Sequence, residues 1–270
     1  MPNIAERIAR VRARIAEAAL RSGRDPEDVC LVAVTKTVPV TAVVEAWAAG
    51  QRHFGENRPE EGAEKIPYVM QQIAAPAMSV ALASDEGRYD PAAALDVGPE
   101  SPQPVWHMIG HVQSRKTEMV VGYFDVVHSL DRLKFGRRLS ALAVEAQRDF
   151  PVLLECNISG EASKYGYAAS GWERDPVIRA ALYDAVEALV TLPGLRIEGF
   201  MTMAPITDDP EVVRPVFASL RGLRDVLCER FPEIRGRHLS MGMTDDFEVA
   251  VEEGATIVRV GRAIFGQRPI

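Results

Sequence analysis

The sequence predicts an α/β fold, a single (β/α)8 barrel preceded by an extra N-terminal helix. Three observations carry this. Short apolar runs recur about eight times, amphipathic helical stretches separate most of them, and 270 residues with 47% hydrophobic content suit one barrel-sized core. A doubly wound open sheet is the alternative arrangement of the same units.

The elements follow in order. Ile4, Ile8, Val11 and Ile15 recur at helical spacing, Asn3 with Glu6 forms a capping-box pattern, and Ser22-Gly23 closes the helix. Leu31-Val32-Ala33-Val34-Thr35 is a strand-like run that ends on Lys36. Pro39 opens a helix carrying Val43, Val44 and Trp47, and Gly50 ends it. A second run reaches His53-Phe54-Gly55. Further strands are expected near 105–109, 124–128, 152–158, 195–201, 238–241 and 256–260, with helices over 131–148, 176–191, 211–230 and 245–253. Residues 67–104, rich in Ala, Pro, Asp and Ser, break the rhythm. They read as an insertion or long loop within one domain spanning 1–270.

Composition excludes several classes. A net charge of −7 disfavours nucleic acid, whose phosphates need a basic face, but leaves room for a small anion at a local positive site. No apolar run is long enough to span a membrane, and the N-terminus has no signal core, so a cytoplasmic location is expected. Cys30, Cys156 and Cys228 stand far apart with no CxxC pair, which fits unpaired thiols in a reducing compartment.

Lys36 is the sharpest chemical feature. It directly follows an apolar strand, at the end of a barrel where active sites are built. Partial burial lowers a lysine pKa, and a neutral amine attacks an aldehyde. A lysine at a strand end also snorkels into water, so position alone leaves both readings open. The segments after strands seven and eight, Ser240-Met241-Gly242 and Gly261-Arg262, pair a strand end with a glycine and a helix start. Loops of this kind bind phosphate through free backbone N–H groups and the helix dipole, and Ser240 can add a hydroxyl donor. On the last strand, alternation puts Ile257, Arg259 and Gly261 on one face, which aims Arg259 at the barrel mouth unless it serves a strand-end ion pair. Asn57 can hydrogen-bond a ring hydroxyl. His107 and His111 have no carboxylate or cysteine at matching spacing, so structural histidines are expected there and no metal.

These runs, taken together, resemble the YggS/PROSC family of pyridoxal 5′-phosphate (PLP) homeostasis proteins. The matching motifs are Val32-Ala33-Val34-Thr35-Lys36, Phe54-Gly55-Glu56-Asn57, Trp106-His107-Met108-Ile109-Gly110-His111, Asn157-Ile158 with Glu161 and Lys164, and Gly199-Phe200-Met201-Thr202. Ser240-Met241-Gly242-Met243-Thr244-Asp245-Asp246 and Val258-Arg259-Val260-Gly261-Arg262 complete them. The likeness covers nearly the whole chain except 67–104. It implies a TIM-type barrel like the N-terminal domain of alanine racemase, of fold-type III, with PLP held as a Schiff base on Lys36. It implies phosphate contacts at Ser240, Gly242, Gly261 and Arg262, Arg259 beside the pyridine nitrogen, and Asn57 and Met201 in the pocket. Arg58-Pro59 stands where many relatives carry an aromatic residue, and the insertion before Trp106 is longer than usual.

The resemblance points to a carrier without catalytic turnover, whose partners are PLP and apo-forms of PLP-dependent enzymes. A permanently charged Arg259 opposes protonation of a ring nitrogen and weakens its use as an electron sink. The chain ends at Ile270, directly after the last barrel unit, so no segment is expected to form the β-rich domain that supplies a racemase its tyrosine base. A PLP-dependent racemase or lyase is the alternative, and a cofactor-free class I aldolase-like barrel is a third reading.

Overall fold

The computed structural model describes residues 2–77, 94–95 and 101–266. Its strands are β1 (Cys30–Val34), β2 (His53–Glu56), β3 (Val105–Met108), β4 (Val126–Leu130), β5 (Phe150–Asn157), β6 (Tyr167–Ala168), β7 (Leu195–Met201), β8 (His238–Ser240) and β9 (Ile257–Val260). Eight of them pair in parallel in the order β1-β2-β3-β4-β5-β7-β8-β9, and β9 returns to β1, closing a barrel. Closure removes the unpaired edges an open sheet would leave, so the barrel prevails over the doubly wound alternative. The short β6 pairs only with the end of β5.

The helices are α1 (Ile4–Arg21), α2 (Val40–Ala48), α3 (Pro59–Ala77), α4 (Thr117–Tyr123), α5 (Leu133–Glu145), α6 (Pro176–Val190), α7 (Arg214–Arg230), α8 (Phe247–Glu252) and α9 (Arg262–Phe265). The capping box on α1 forms as expected: Asn3 accepts from the Glu6 amide, and Glu6 accepts from the Asn3 amide. The last two helices are short and leave part of the outer wall bare. The buried stripe of α1, Ile8, Val11, Ile15, Ala18 and Ala19, packs there. Arg14 pairs with Glu248 on α8, and Arg24 donates to the carbonyls of Val251 and Ala255.

Strand alternation sorts two layers. Leu31, Ala33, Val152, Leu154, Val258 and Val260 join the large cluster beneath the helices. Val32, Leu153, Met201 and Ile257 meet inside the barrel. The expected in–out pattern of β9 is therefore present.

The expected loop over 67–104 is corrected in its first part, because α3 continues through Pro67 to Ala77. Lys65, Ile66 and Val69 are buried on one side, whereas Pro67 is exposed, so its missing N–H falls on the solvent face and the apolar stripe carries the helix past it. Most of the remaining insertion lies outside the described residues. Ala94, though, is fully buried against Val105 and Val126 at the start of β3 and β4. Asp246 stands at the N-cap of α8, but its carboxylate turns back to accept from the Met243 amide at 2.6 Å.

Candidate functional site

The carboxyl ends of the strands gather the expected residues at one mouth of the barrel. Lys36 is half-buried two residues beyond β1, in a tight turn closed by the Val38 amide donating to the Thr35 carbonyl at 2.9 Å. Thr37, with φ of 62°, adopts the left-handed backbone that non-glycine residues rarely take. Side chains from α3 hold this turn from both sides. The Lys65 ammonium donates to the Thr35 carbonyl at 2.6 Å, to Glu56 Oε1 at 2.7 Å and to Glu61 Oε1 at 2.9 Å. Glu61 also accepts the Thr37 amide, and Thr35 Oγ1 donates to Glu56 Oε1 at 2.7 Å. Burial raises the Glu56 pKa, and Lys65 only partly offsets the rise.

The two glycine loops sit as the sequence suggested. Gly261 is the N-cap of α9, and a side chain there would lie 3.3 Å from the Val34 carbonyl, so this loop packs against the end of β1 beside Lys36. Ile264 is the first amide of α9 bonded back to Gly261, which leaves those of Arg262 and Ala263 ahead of the helix ladder. Gly242 has φ of 94°, and an added Cβ would meet Ala250 Cβ at 2.6 Å. Its carbonyl accepts the Arg259 amide at 3.0 Å. The Arg262 guanidinium pairs with Asp245 and so ties the two loops together.

Arg259 points inward, only 4% exposed, which resolves the choice left open by the sequence. Nη1 donates to Ser240 Oγ at 2.5 Å and Nη2 to the Thr202 carbonyl at 2.9 Å. Burial lowers its pKa to about 10, while Asp246 and Glu155 oppose that fall, so it stays charged at neutral pH. The Ser240 hydroxyl is thus engaged inside the barrel, not extended toward the loop that follows it. From it a chain of buried rings runs across the lumen. Ser240 Oγ meets His128 Nδ1 at 2.8 Å, His128 Nε2 meets His107 Nδ1 at 2.8 Å, and His107 Nε2 meets His53 Nδ1 at 3.0 Å. Arg259 can only donate, so the Ser240 proton goes to His128, and each of the next two histidines in turn carries its proton on Nε2. Burial foremost, then the neighbouring rings and, for His128, Arg259 hold His107 and His128 well below the usual imidazole pKa.

His53 lines a cavity of about 970 Å³ at the opposite end of the barrel, with Cys30, Leu95, His238 and Thr256. That end carries strand starts, and its Arg12 is committed to the Gly50 carbonyl and Gln51, so the mouth with Lys36 is the better candidate.

His107 is thus a structural histidine. His111 has a carboxylate partner after all: Nδ1 lies 2.6 Å from Asp131 Oδ2, and Tyr165 stacks on its ring with centroids 3.8 Å apart. Asp131 is distant in sequence, which is why spacing missed it. Sequence reasoning also missed Lys65 and Glu155. Glu155 is a carboxylate inside an otherwise apolar strand, and that anomaly is a signal in its own right. It is 3% exposed, and its Oε2 has no hydrogen-bond partner among the described residues. The buried Asn57 Oδ1 is in the same position, whereas Met201 is fully packed in the lumen floor.

Comparison with known proteins agrees with this fold. Residues 7–269 match the family described as alanine racemase, N-terminal domain, which defines the class of barrel. A Pseudomonas aeruginosa protein called pyridoxal phosphate homeostasis protein is 40% identical over 268 residues, covering 99% of this chain and 97% of its own. The structure of PipY from Synechococcus elongatus with PLP bound is 32% identical, with a TM-score of 0.70 over 98% of this chain and all of that one. An alanine racemase from Clostridium difficile, 13% identical with a TM-score of 0.63, shares the fold over 99% of this chain and 57% of its own. The chain belongs to the family of pyridoxal phosphate homeostasis proteins.

Proposed function

We propose that this protein binds PLP at the barrel mouth, holds it as a Schiff base on Lys36, and acts in intracellular PLP homeostasis as a carrier without catalytic turnover. The observation that carries the reading is the placement of Lys36: a half-buried lysine in a braced turn, with the Gly261 loop packed against its strand and buried Arg259 two strand residues away from Gly261. The residues present fit such a group. Asn57 Oδ1 is a buried acceptor awaiting a partner, and Gly242 and Gly261 allow close backbone approach. Lys36, Asn57, Met201, Ser240, Gly242, Arg259, Gly261 and Arg262 would hold it, Ser240 by fixing Arg259. When bound, PLP supplies an aldehyde for reversible carbon–nitrogen bond formation. Charged Arg259 keeps a nearby ring nitrogen unprotonated, which favours holding over turnover.

Apo-forms of PLP-dependent enzymes are the proposed recipients, in the cytoplasm. No described helix is long and apolar enough to cross a membrane. The test is to load the purified protein with PLP, record its visible absorbance, reduce it with borohydride and map the label. Label on Lys36, lost in Lys36→Ala, is expected, as is transfer of PLP to an apo-enzyme. A colourless, unlabelled protein refutes PLP binding, and racemisation of any amino acid at a useful rate refutes the carrier role.

A further inference from the structure

Glu155 is the buried acid that the reading above leaves without a task. Its neighbours on β5 fix its direction. Val152 and Leu154 face the helices, Leu153 meets Val32, Met201 and Ile257 in the lumen, and Glu155 follows Leu153 on the inner face, one step nearer the mouth. Around the closed barrel β5 lies four strands from β1 in either direction, so Glu155 stands across the lumen from the strand that carries Lys36. Met201 lies beside it in register on β7.

A carboxyl group with a buried, unpartnered oxygen is costly unless something supplies a partner. No described residue does. Arg259, a buried cation, directs Nη1 to Ser240 and Nη2 to the Thr202 carbonyl, not to Glu155 Oε2. Lys65, the other buried cation of this mouth, serves Thr35, Glu56 and Glu61 on the outer side of β1 and β2.

We infer that Glu155 is a further ligand-binding residue: its carboxyl group, in the protonated form, donates a hydrogen bond to an oxygen that PLP retains when Lys36 holds it. This deepens the proposed function and rests on the assignment of Lys36. Protonation is required because PLP is itself anionic and an ionised Glu155 would repel it. The surroundings favour the neutral acid. Burial above all, and then Asp131 at the end of β4, push the Glu155 pKa up to about 7, against the pull of Arg259 from β9. The other groups facing the lumen here are Lys36 from β1 and His128 from β4, which stays neutral within its hydrogen-bonded chain.

The test compares wild type with Glu155→Gln, which is neutral at every pH and keeps a donor. PLP affinity is measured for both proteins at pH 6 and pH 9, and the wild-type-to-variant ratio of Kd cancels the titration of Lys36 and of PLP itself. The ratio is expected to rise on the order of 10–100-fold across that interval, because each pH unit above the midpoint removes tenfold of the protonated form. Carboxyl NMR of Glu155 in the unloaded and loaded protein is the second readout, and its midpoint is expected to move upward with PLP. A flat ratio or an unmoved midpoint overturns the inference. Borohydride mapping on the same samples separates the two readings. Label on Lys36 with a flat ratio sinks Glu155 alone, and label on another lysine sinks both.

Discussion

Lys65→Met removes the ammonium that braces the Lys36 turn and leaves Glu56 buried beside it. The pair is enclosed, with Lys65 9% and Glu56 0% exposed, at 2.7 Å. Breaking a buried pair costs about 3–5 kcal/mol, since one charge stays behind. The carboxyl can escape by protonating, and that sets a ceiling. Protonating a glutamate of ordinary pKa about 4.3 at pH 7 costs about 3.7 kcal/mol, and at pH 5 about 1 kcal/mol. After the substitution Glu56 keeps only the Thr35 hydroxyl, and its Oε2 already lacks a partner. The sign follows from a folded pKa already raised by burial. Such an acid destabilises the fold above that pKa, and the penalty fades as pH falls toward the unfolded value. Urea denaturation is therefore expected to show a deficit of about 3–4 kcal/mol at pH 7 that shrinks toward about 1 kcal/mol at pH 5. Glu56→Gln combined with Lys65→Met is expected to recover most of it. A single variant within about 1 kcal/mol of wild type at pH 7, or an equal deficit at both pH values, refutes the reasoning.

Three further outcomes are expected. In nitrogen NMR, His107 and His128 stay neutral with the proton on Nε2 down to pH 5.5, and a midpoint between pH 6 and 7 for either ring rules out the chain as drawn. Gly199→Ala places a Cβ against the His238 carbonyl of the adjoining strand and is expected to cost about 1–3 kcal/mol in thermal unfolding, which an unchanged Tm contradicts. Cys156, whose thiol burial pushes up to about 12, is expected to resist thiol reagents at pH 8 until the protein unfolds, and rapid labelling of this thiol in the native protein counts against that burial.

The sequence made the barrel legible because parallel strands covered on both faces must be apolar runs, and the helices between them must carry a stripe. Lys36, Gly242, Gly261 and the inward face of Arg259 were legible for the same local reason: each is fixed by its place at or near a strand end. What stayed hidden depends on closure. Asp131 meets His111 across 20 residues, Lys65 reaches the Thr35 carbonyl across 30, and Ser240 meets His128 across 112. No periodicity registers such pairs. Pro67 misled for a different reason. Proline is a strong local signal against a helix, yet an exposed position on an amphipathic helix tolerates it when the buried face supplies the stability.

The chain of rings from Arg259 to His53 has a consequence for traffic through the barrel. Every link donates away from the mouth, so a proton released beside Arg259 can step from Ser240 to His128, His107 and His53 by a shift along each existing bond. Once that shift has run, each imidazole bears its hydrogen on Nδ1 and every bond points back toward the mouth, so the same proton returns by the same steps reversed, whereas a second proton waits until the rings reset. The resting direction of the chain is set by a single guanidinium that has no lone pair to offer.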